Sequence, residues 1–256
     1  MELHLTGKNV LVTGGSKNIG KAIVRAYLAE GANVVFTWHS DEAAAEAAAA
    51  ELRPLARGYF AAHRADAMQE EQVRETLDFC YSAMGGIDIL VNNACSAGKQ
   101  KRLLQDITPD DWNREMFGAL LPMYLHTRML CQDCLAEKKP CHIINISAAE
   151  GVKICSVPGT APYAAGKAGV IMYTRTLAHQ MAPYGITING IIPGRVLDPA
   201  LTGSEAYAYI TGETRVGSLR DLTDPAEIGA MAAYLGSPLA KHIIGANLDV
   251  TGGCLL

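Results

Sequence analysis

Tyr163 and Lys167 stand four residues apart within a stretch of helical periodicity, so one turn of helix places a phenol and an ammonium on the same face. An isolated tyrosine is a poor acid–base group at neutral pH, its ordinary pKa being about 10. A cation beside it, together with an oxidised nicotinamide, favours the phenolate and draws it toward working range. Such a pair can give a proton to an oxygen that becomes an alkoxide, which is what reduction of a carbonyl by hydride requires. Residues 13–20, TGGSKNIG, follow a short β-branched run and lead directly into a helical pattern. Glycines there permit a tight turn and leave backbone N–H groups at a helix N-terminus accessible to a dinucleotide pyrophosphate.

Both features need a scaffold, and the hydrophobic pattern describes one. Apolar runs at 9–12, 33–37, 58–62, 87–91, 142–146, 187–192 and 247–250 read as strands. Helical periodicity occupies 19–30, 41–52, 69–84, 109–137, 162–182 and 225–236. Thr108-Pro109 and Asp224-Pro225 are N-cap and first-turn proline pairs that open helices. Near-continuous apolar strands alternating with helices imply an α/β fold: a doubly wound parallel sheet of about seven strands, covered on both faces. No Pro/Ser-rich linker or repeat divides the chain, so 1–256 is expected to form a single dinucleotide-binding domain. The alanine run at 43–50 reads as a surface helix with Glu42, Glu46 and Glu51 toward water.

Bulk composition excludes several function classes. A net charge of −4 with interspersed signs gives no basic field for nucleic acid and no polybasic patch for a membrane. The longest apolar runs, such as 170–173, fall far short of the roughly 20 residues of a membrane span. The N-terminus carries no signal-peptide pattern, and a cytoplasmic location is expected. The seven cysteines lack framework spacing, so reduced thiols are expected. Cys131 and Cys134 form a C-x-x-C without a second pair, and a three-residue step in an apolar helix is ordinary core spacing. No metal is expected.

Over essentially its whole length the chain resembles the short-chain dehydrogenase/reductase family. TGGSKNIG resembles that family's T-G-x-x-x-G-x-G turn, IDILVNNAC at 87–95 its N-N-A-G segment, and YAAGK at 163–167 its Tyr-x-x-x-Lys. IIPG at 191–194 and TGG at 251–253 match later landmarks in the same order. The resemblance implies a Rossmann fold and a nicotinamide cofactor. It also implies Tyr163 as general acid/base and a homotetramer or homodimer formed through 109–137, 162–182 and the C-terminal strand. In the family the lysine also hydrogen-bonds the nicotinamide ribose. On the same basis the expected cofactor contacts are Gly14, Ser16, Lys17, Asn18, Ile19, Gly20, His39, Ser40, Asp66, Ala67, Asn93, Ala94, Tyr163, Lys167, Pro193, Gly194 and Val196. Asp66 reads equally as a helix N-cap.

The departures from the family pattern are informative. Asn18 replaces a glycine, and asparagine is the next-best residue for a left-handed conformation. Cys95 replaces the glycine of N-N-A-G, where a packed small thiol or a reactive one would both fit. The family's substrate-binding serine aligns with Ala148. Three outcomes are open: Ser147 swings in, Ser156 substitutes from the loop, or the site lacks this donor. Glu150 is a replacement polar group or a solvated loop residue. The family's helix asparagine aligns with Ala119, and Asn113 lies on another face. Pro122 cannot donate to the carbonyl of Gly118, which suggests a kink and a free carbonyl for a relay water.

Cofactor preference is read at the end of the second strand. NAD-preferring relatives place an acid there; here Thr37-Trp38-His39-Ser40 precede the first acid, Asp41. Lys17 as a cation with His39 and Ser40 as donors suits a 2′-phosphate, so NADP(H) is expected. The segment 195–217, with Tyr207 and Tyr209, is the expected substrate lid, suited to an apolar or cyclic carbonyl compound. The reaction expected is hydride transfer to a ketone. Reduction of a C=N or conjugated C=C bond, as in pteridine reductases, is the alternative, and a non-catalytic NADP-binding scaffold a third.

Overall fold

The computed structural model describes residues 2–95, 103–154, 159–197 and 222–255. Seven strands form one wholly parallel sheet: β1 (Asn9–Val12), β2 (Asn33–Trp38), β3 (Phe60–Arg64), β4 (Ile89–Asn92), β5 (Cys141–Ile146), β6 (Ile186–Pro193) and β7 (Asn247–Val250). Their spatial order is β3-β2-β1-β4-β5-β6-β7. Among the described residues the α-helices are α1 (Asn18–Ala29), α2 (Glu42–Leu52), α3 (Glu70–Met84), α4 (Pro109–Glu137), α5 (Ala161–Met181) and α6 (Pro225–Leu235). The winding reverses between β1 and β4, which opens a crevice at their carboxyl ends, where ligands bind in sheets of this kind.

Strand alternation divides the core between the two faces. Val10, Val12, Val34, Phe36, Ile89, Val91, Ile144 and Ile146 pack on one side with α1, α2 and α6. Leu11, Val35, Leu90 and Ile143 pack on the other with side chains of α3, α4 and α5. Cys131 and Cys134 lie in this second layer, and burial pushes the Cys131 thiol up to about 12. Among the described residues no cluster of three metal-ligating side chains occurs, and no helix is long and apolar enough to cross a membrane. In α2, Glu42, Glu46 and Glu51 are exposed while Ala45, Ala48 and Leu52 are buried.

Both expected N-caps form. Thr108 accepts from the N–H of Asp111 at 3.1 Å in a reciprocal capping box, and Asp224 accepts from Ala226 N–H at 2.8 Å. Asp66, however, does not cap α3, whose N-cap is Gln69. It lies three residues upstream and fastens its own turn, accepting from Met68 N–H at 2.9 Å.

Candidate active site

The glycine turn is held from below and packed from both sides. Thr13 Oγ1 accepts from the N–H groups of Asn93 and Ala94, each at 3.0 Å, and Asn93 Nδ2 donates to the carbonyls of Thr13 and Gly14. The ends of β1 and β4 are thereby fixed together across the crevice. Gly14 has φ +67, and a Cβ on Gly20 would lie 2.1 Å from the Gly14 carbonyl oxygen, so only glycine fits there. Asn18 adopts φ +41, the left-handed conformation expected of it. The N-terminus of α1 has no side-chain cap and no acid in its first turn. Its uncapped N–H groups and positive dipole end suit a pyrophosphate, and the donor set therefore fits a dinucleotide.

At the end of β2, Lys17 forms an ion pair with Asp41, which also caps α2 by accepting from Ala44 N–H. The ammonium holds the Asp41 carboxyl below its usual range. A second cation, unforeseen from sequence, is Arg64: β3 pairs Trp38 with Arg64, its guanidinium lies over the Trp38 ring at 5.6 Å, and Nε donates to the His39 carbonyl. Asp66 stands 3.9 Å from His39 Nε2. The structure thus gathers Lys17, Trp38, His39, Arg64 and Asp66 around one end of the crevice. The sequence signal for Arg64 was a basic residue closing the third strand.

Tyr163 and Lys167 lie one turn apart on α5, as the spacing requires. Lys167 is buried and donates from Nζ to the Ile146 carbonyl at 2.9 Å; its nitrogen lies 5.8 Å from the centre of the Tyr163 ring. The phenol is not drawn down in this structure. Burial raises it above its ordinary value, and Cys95, Glu150 and Glu115 raise it further. Residue spacing reveals the ammonium but neither the desolvation nor the neighbouring Cys95, Glu150 and Glu115.

The altered positions are also resolved in part. Ser147 does not face the crevice: it is buried and its Oγ donates to the Lys167 main-chain carbonyl at 3.0 Å. Ala148 follows without a hydroxyl, and Ser156 lies outside the described residues. The turn Ala149–Gly151 sits directly on α5, where a Cβ on Gly151 would be 2.7 Å from the Lys167 backbone. This brings Glu150 to the Tyr163 side. Helix α4 continues unbroken through Pro122, whose carbonyl accepts from Nδ1 of the buried His126 at 2.7 Å. Pro193 ends β6 and Gly194 packs on the Thr251 backbone. Val196 pairs with Thr223, so the base of the expected lid is tied, while 198–221, with Tyr207 and Tyr209, lie outside the described residues.

Residues 8–206 match the family model of the short chain dehydrogenases. This chain belongs to the short-chain dehydrogenase/reductase family. It is 36% identical to a 3beta-hydroxysteroid dehydrogenase of Eggerthella lenta, over 98% of this chain and 95% of that protein. It is 32% identical to a D-beta-hydroxybutyrate dehydrogenase of Cupriavidus necator, over 97% and 98%. A short chain dehydrogenase of Burkholderia cenocepacia, solved in complex with NADP, superposes with a TM-score of 0.85 at 28% identity, covering 98% of this chain and 99% of that one. The chain is an oxidoreductase of this family, whose members bind small molecules and use a nicotinamide dinucleotide.

Two further parts of this site, besides Arg64, carry no motif in the sequence. One is a buried amide–hydroxyl ladder beneath the crevice: Asn92 Nδ2 donates to Thr127 Oγ1 and Asn145 Oδ1, and Asn145 Nδ2 donates to Thr174 Oγ1. Polar residues at the ends of two apolar strands were its signal. The other is Glu115, 2% exposed, at helical spacing from the buried Ala119 and Met123.

Proposed function

We propose that the protein is an NADPH-dependent reductase of an apolar or cyclic ketone, with Tyr163 as general acid/base and Lys167 as its partner. The single observation that carries this reading is the phenol of Tyr163 and the buried ammonium of Lys167 on one face of α5, beside the crevice at the β1/β4 reversal. Bound NADPH would supply the hydride. The chain's own residues do the rest. Gly14, Ser16, Asn18, Ile19 and Gly20 would offer backbone at the α1 N-terminus to the pyrophosphate; Asp66 and Ala67 would hold the adenine, and Asn93, Ala94, Pro193, Gly194 and Val196 the nicotinamide side. The Tyr163 phenol gives its proton to the substrate oxygen as that oxygen gains charge, and Lys167, anchored on the Ile146 carbonyl, would also hold the ribose.

NADPH is favoured over NADH because Lys17, His39, Ser40 and Arg64 surround the end of β2 with donors, and no acid ends that strand. The Burkholderia relative solved with NADP is consistent with this. The relatives named for hydroxysteroid and hydroxybutyrate substrates favour a ketone/alcohol couple. Ala148 favours a second reading: without a hydroxyl donor, a substrate that supplies its own polarisation, such as a C=N bond, is reduced. Exposed Phe117 and Tyr124 on α4 and Met172 on α5 support assembly into a homo-oligomer through these helices. We place the enzyme in the cytoplasm.

The test is loss of NADPH absorbance against a panel of ketones, quinones, cyclic imines and pterins. Turnover with ketones supports the first reading and turnover restricted to C=N substrates the second. Tight NADPH binding without turnover across the panel would overturn both in favour of a scaffold.

A further inference from the structure

Glu115 is a carboxylate where the helix pattern calls for an apolar side chain. It shares one face of α4 with Ala119 and Met123, all three nearly inaccessible. Among the described residues its buried Oε2 has no hydrogen-bond partner, and Oε1 has Arg114 Nε at 3.8 Å on the solvent side. An unpartnered buried carboxyl oxygen costs free energy, so its retention needs a reason.

Its location supplies one. Helices α4 and α5 pack closely: a Cβ on Gly166 would meet Ala119 Cβ and the Met116 carbonyl, each at 2.8 Å. Both helices are crossovers of one parallel sheet and run in the same direction. Glu115, one residue before Met116, therefore sits level with Tyr163, three residues before Gly166. Ala119, where the family's asparagine would stand, lies one turn further along the same face.

We propose that Glu115 is a positioning residue for Tyr163, set against the phenol to keep it protonated and ready to donate in the reductive direction. The idea rests on the reading of Tyr163 as the proton donor. In that direction hydride adds to the carbonyl carbon, the C=O π pair moves to oxygen, and the phenol O–H bond breaks to protonate that oxygen. The phenolate then regains its proton from solvent. Four groups act on the phenol among the described residues: Lys167 on its own helix, Glu115 from α4, Glu150 from the turn after β5, and Cys95 after β4. Burial and the last three all hold the phenol above its ordinary range.

The test does not need a substrate. A ring-fluorinated tyrosine, whose phenol titrates below that of tyrosine, is built into position 163 of the full chain and followed by fluorine NMR against pH. Glu115→Gln should move its titration midpoint down by at least about half a pH unit, the size expected of one nearby charge in a partly buried setting. Glu115→Met should do the same and Glu115→Asp should largely restore the original midpoint. A midpoint unmoved in both Gln and Met variants overturns the proposal, as does an equal shift in the remote control Glu137→Gln. If Tyr163 is not the donor, the midpoint still shifts but Tyr163→Phe retains turnover, so the two failures are distinguishable.

Discussion

At the residue scale, the chemistry converges on one phenol whose surroundings differ from what spacing alone implies. Replacing Tyr163 by Phe should lower NADPH-dependent turnover by about 100-fold or more, the usual contribution of a positioned acid, while dye-free NADPH binding by calorimetry stays near wild type. At the other end of the crevice, if NADPH binds as proposed, its 2′-phosphate would compete with Asp41 for the Lys17 ammonium. Lys17→Ala is expected to raise the KM for NADPH by about 10- to 100-fold and to leave that for NADH nearly unchanged, one lost charge-assisted contact being worth about 1.5–3 kcal/mol. Asp41→Asn should shift the ratio the other way, toward NADPH. Steady-state kinetics with both cofactors decides; an equal effect on the two would remove Lys17 from the phosphate site. The one-turn spacing of Tyr163 and Lys167 on a single helix was legible in the chain. Glu115, Arg64 and the Asp41 pairing were not, since each depends on which elements the fold brings side by side.

At the scale of elements, β1, β7 and α4 have the boundaries their patterns predict, because each lies between strong stops or caps. The third strand was expected at 58–62 and runs Phe60–Arg64. Its register is fixed by Phe60 opposite Val34, and as an edge strand it accepts His63 and Arg64, whose polarity reads as a loop. The fourth was expected at 87–91 and extends to Asn92, whose amide finds Asn145 and Thr127 in the interior. Periodicity cannot anticipate a polar residue satisfied by distant partners. Asn18, by contrast, was legible as a left-handed position. Asn18→Val should cost about 1–2 kcal/mol in urea denaturation, whereas Asn18→Gly should be neutral or better. Equal stability of the two would mean the turn relaxes out of that conformation.

At the scale of the whole molecule, stability against acid has an identifiable weak point. His126 is buried, donates to the Pro122 carbonyl through Nδ1, and is held down to about 4 chiefly by burial, the hydrogen bond opposing. A group whose folded pKa is depressed binds protons more readily once unfolded, so folding stability is full above about 6.5 and declines as pH falls toward 4. The loss should reach roughly 3 kcal/mol, and His126→Gln should flatten that slope in chemical denaturation at pH 4 to 7. An unchanged slope would place the acid sensitivity elsewhere. A further property follows from the short ladder in which Val196 faces Thr223, with Leu197 N–H donating to the Thr223 carbonyl and Thr223 N–H to that of Arg195. The two chain ends that bracket 198–221 are already joined, so the sheet does not rely on what lies between them. If the expected lid sets substrate preference, transplanting the corresponding stretch of the Eggerthella relative between Leu197 and Leu222 should change the preferred ketone and leave NADPH binding unchanged.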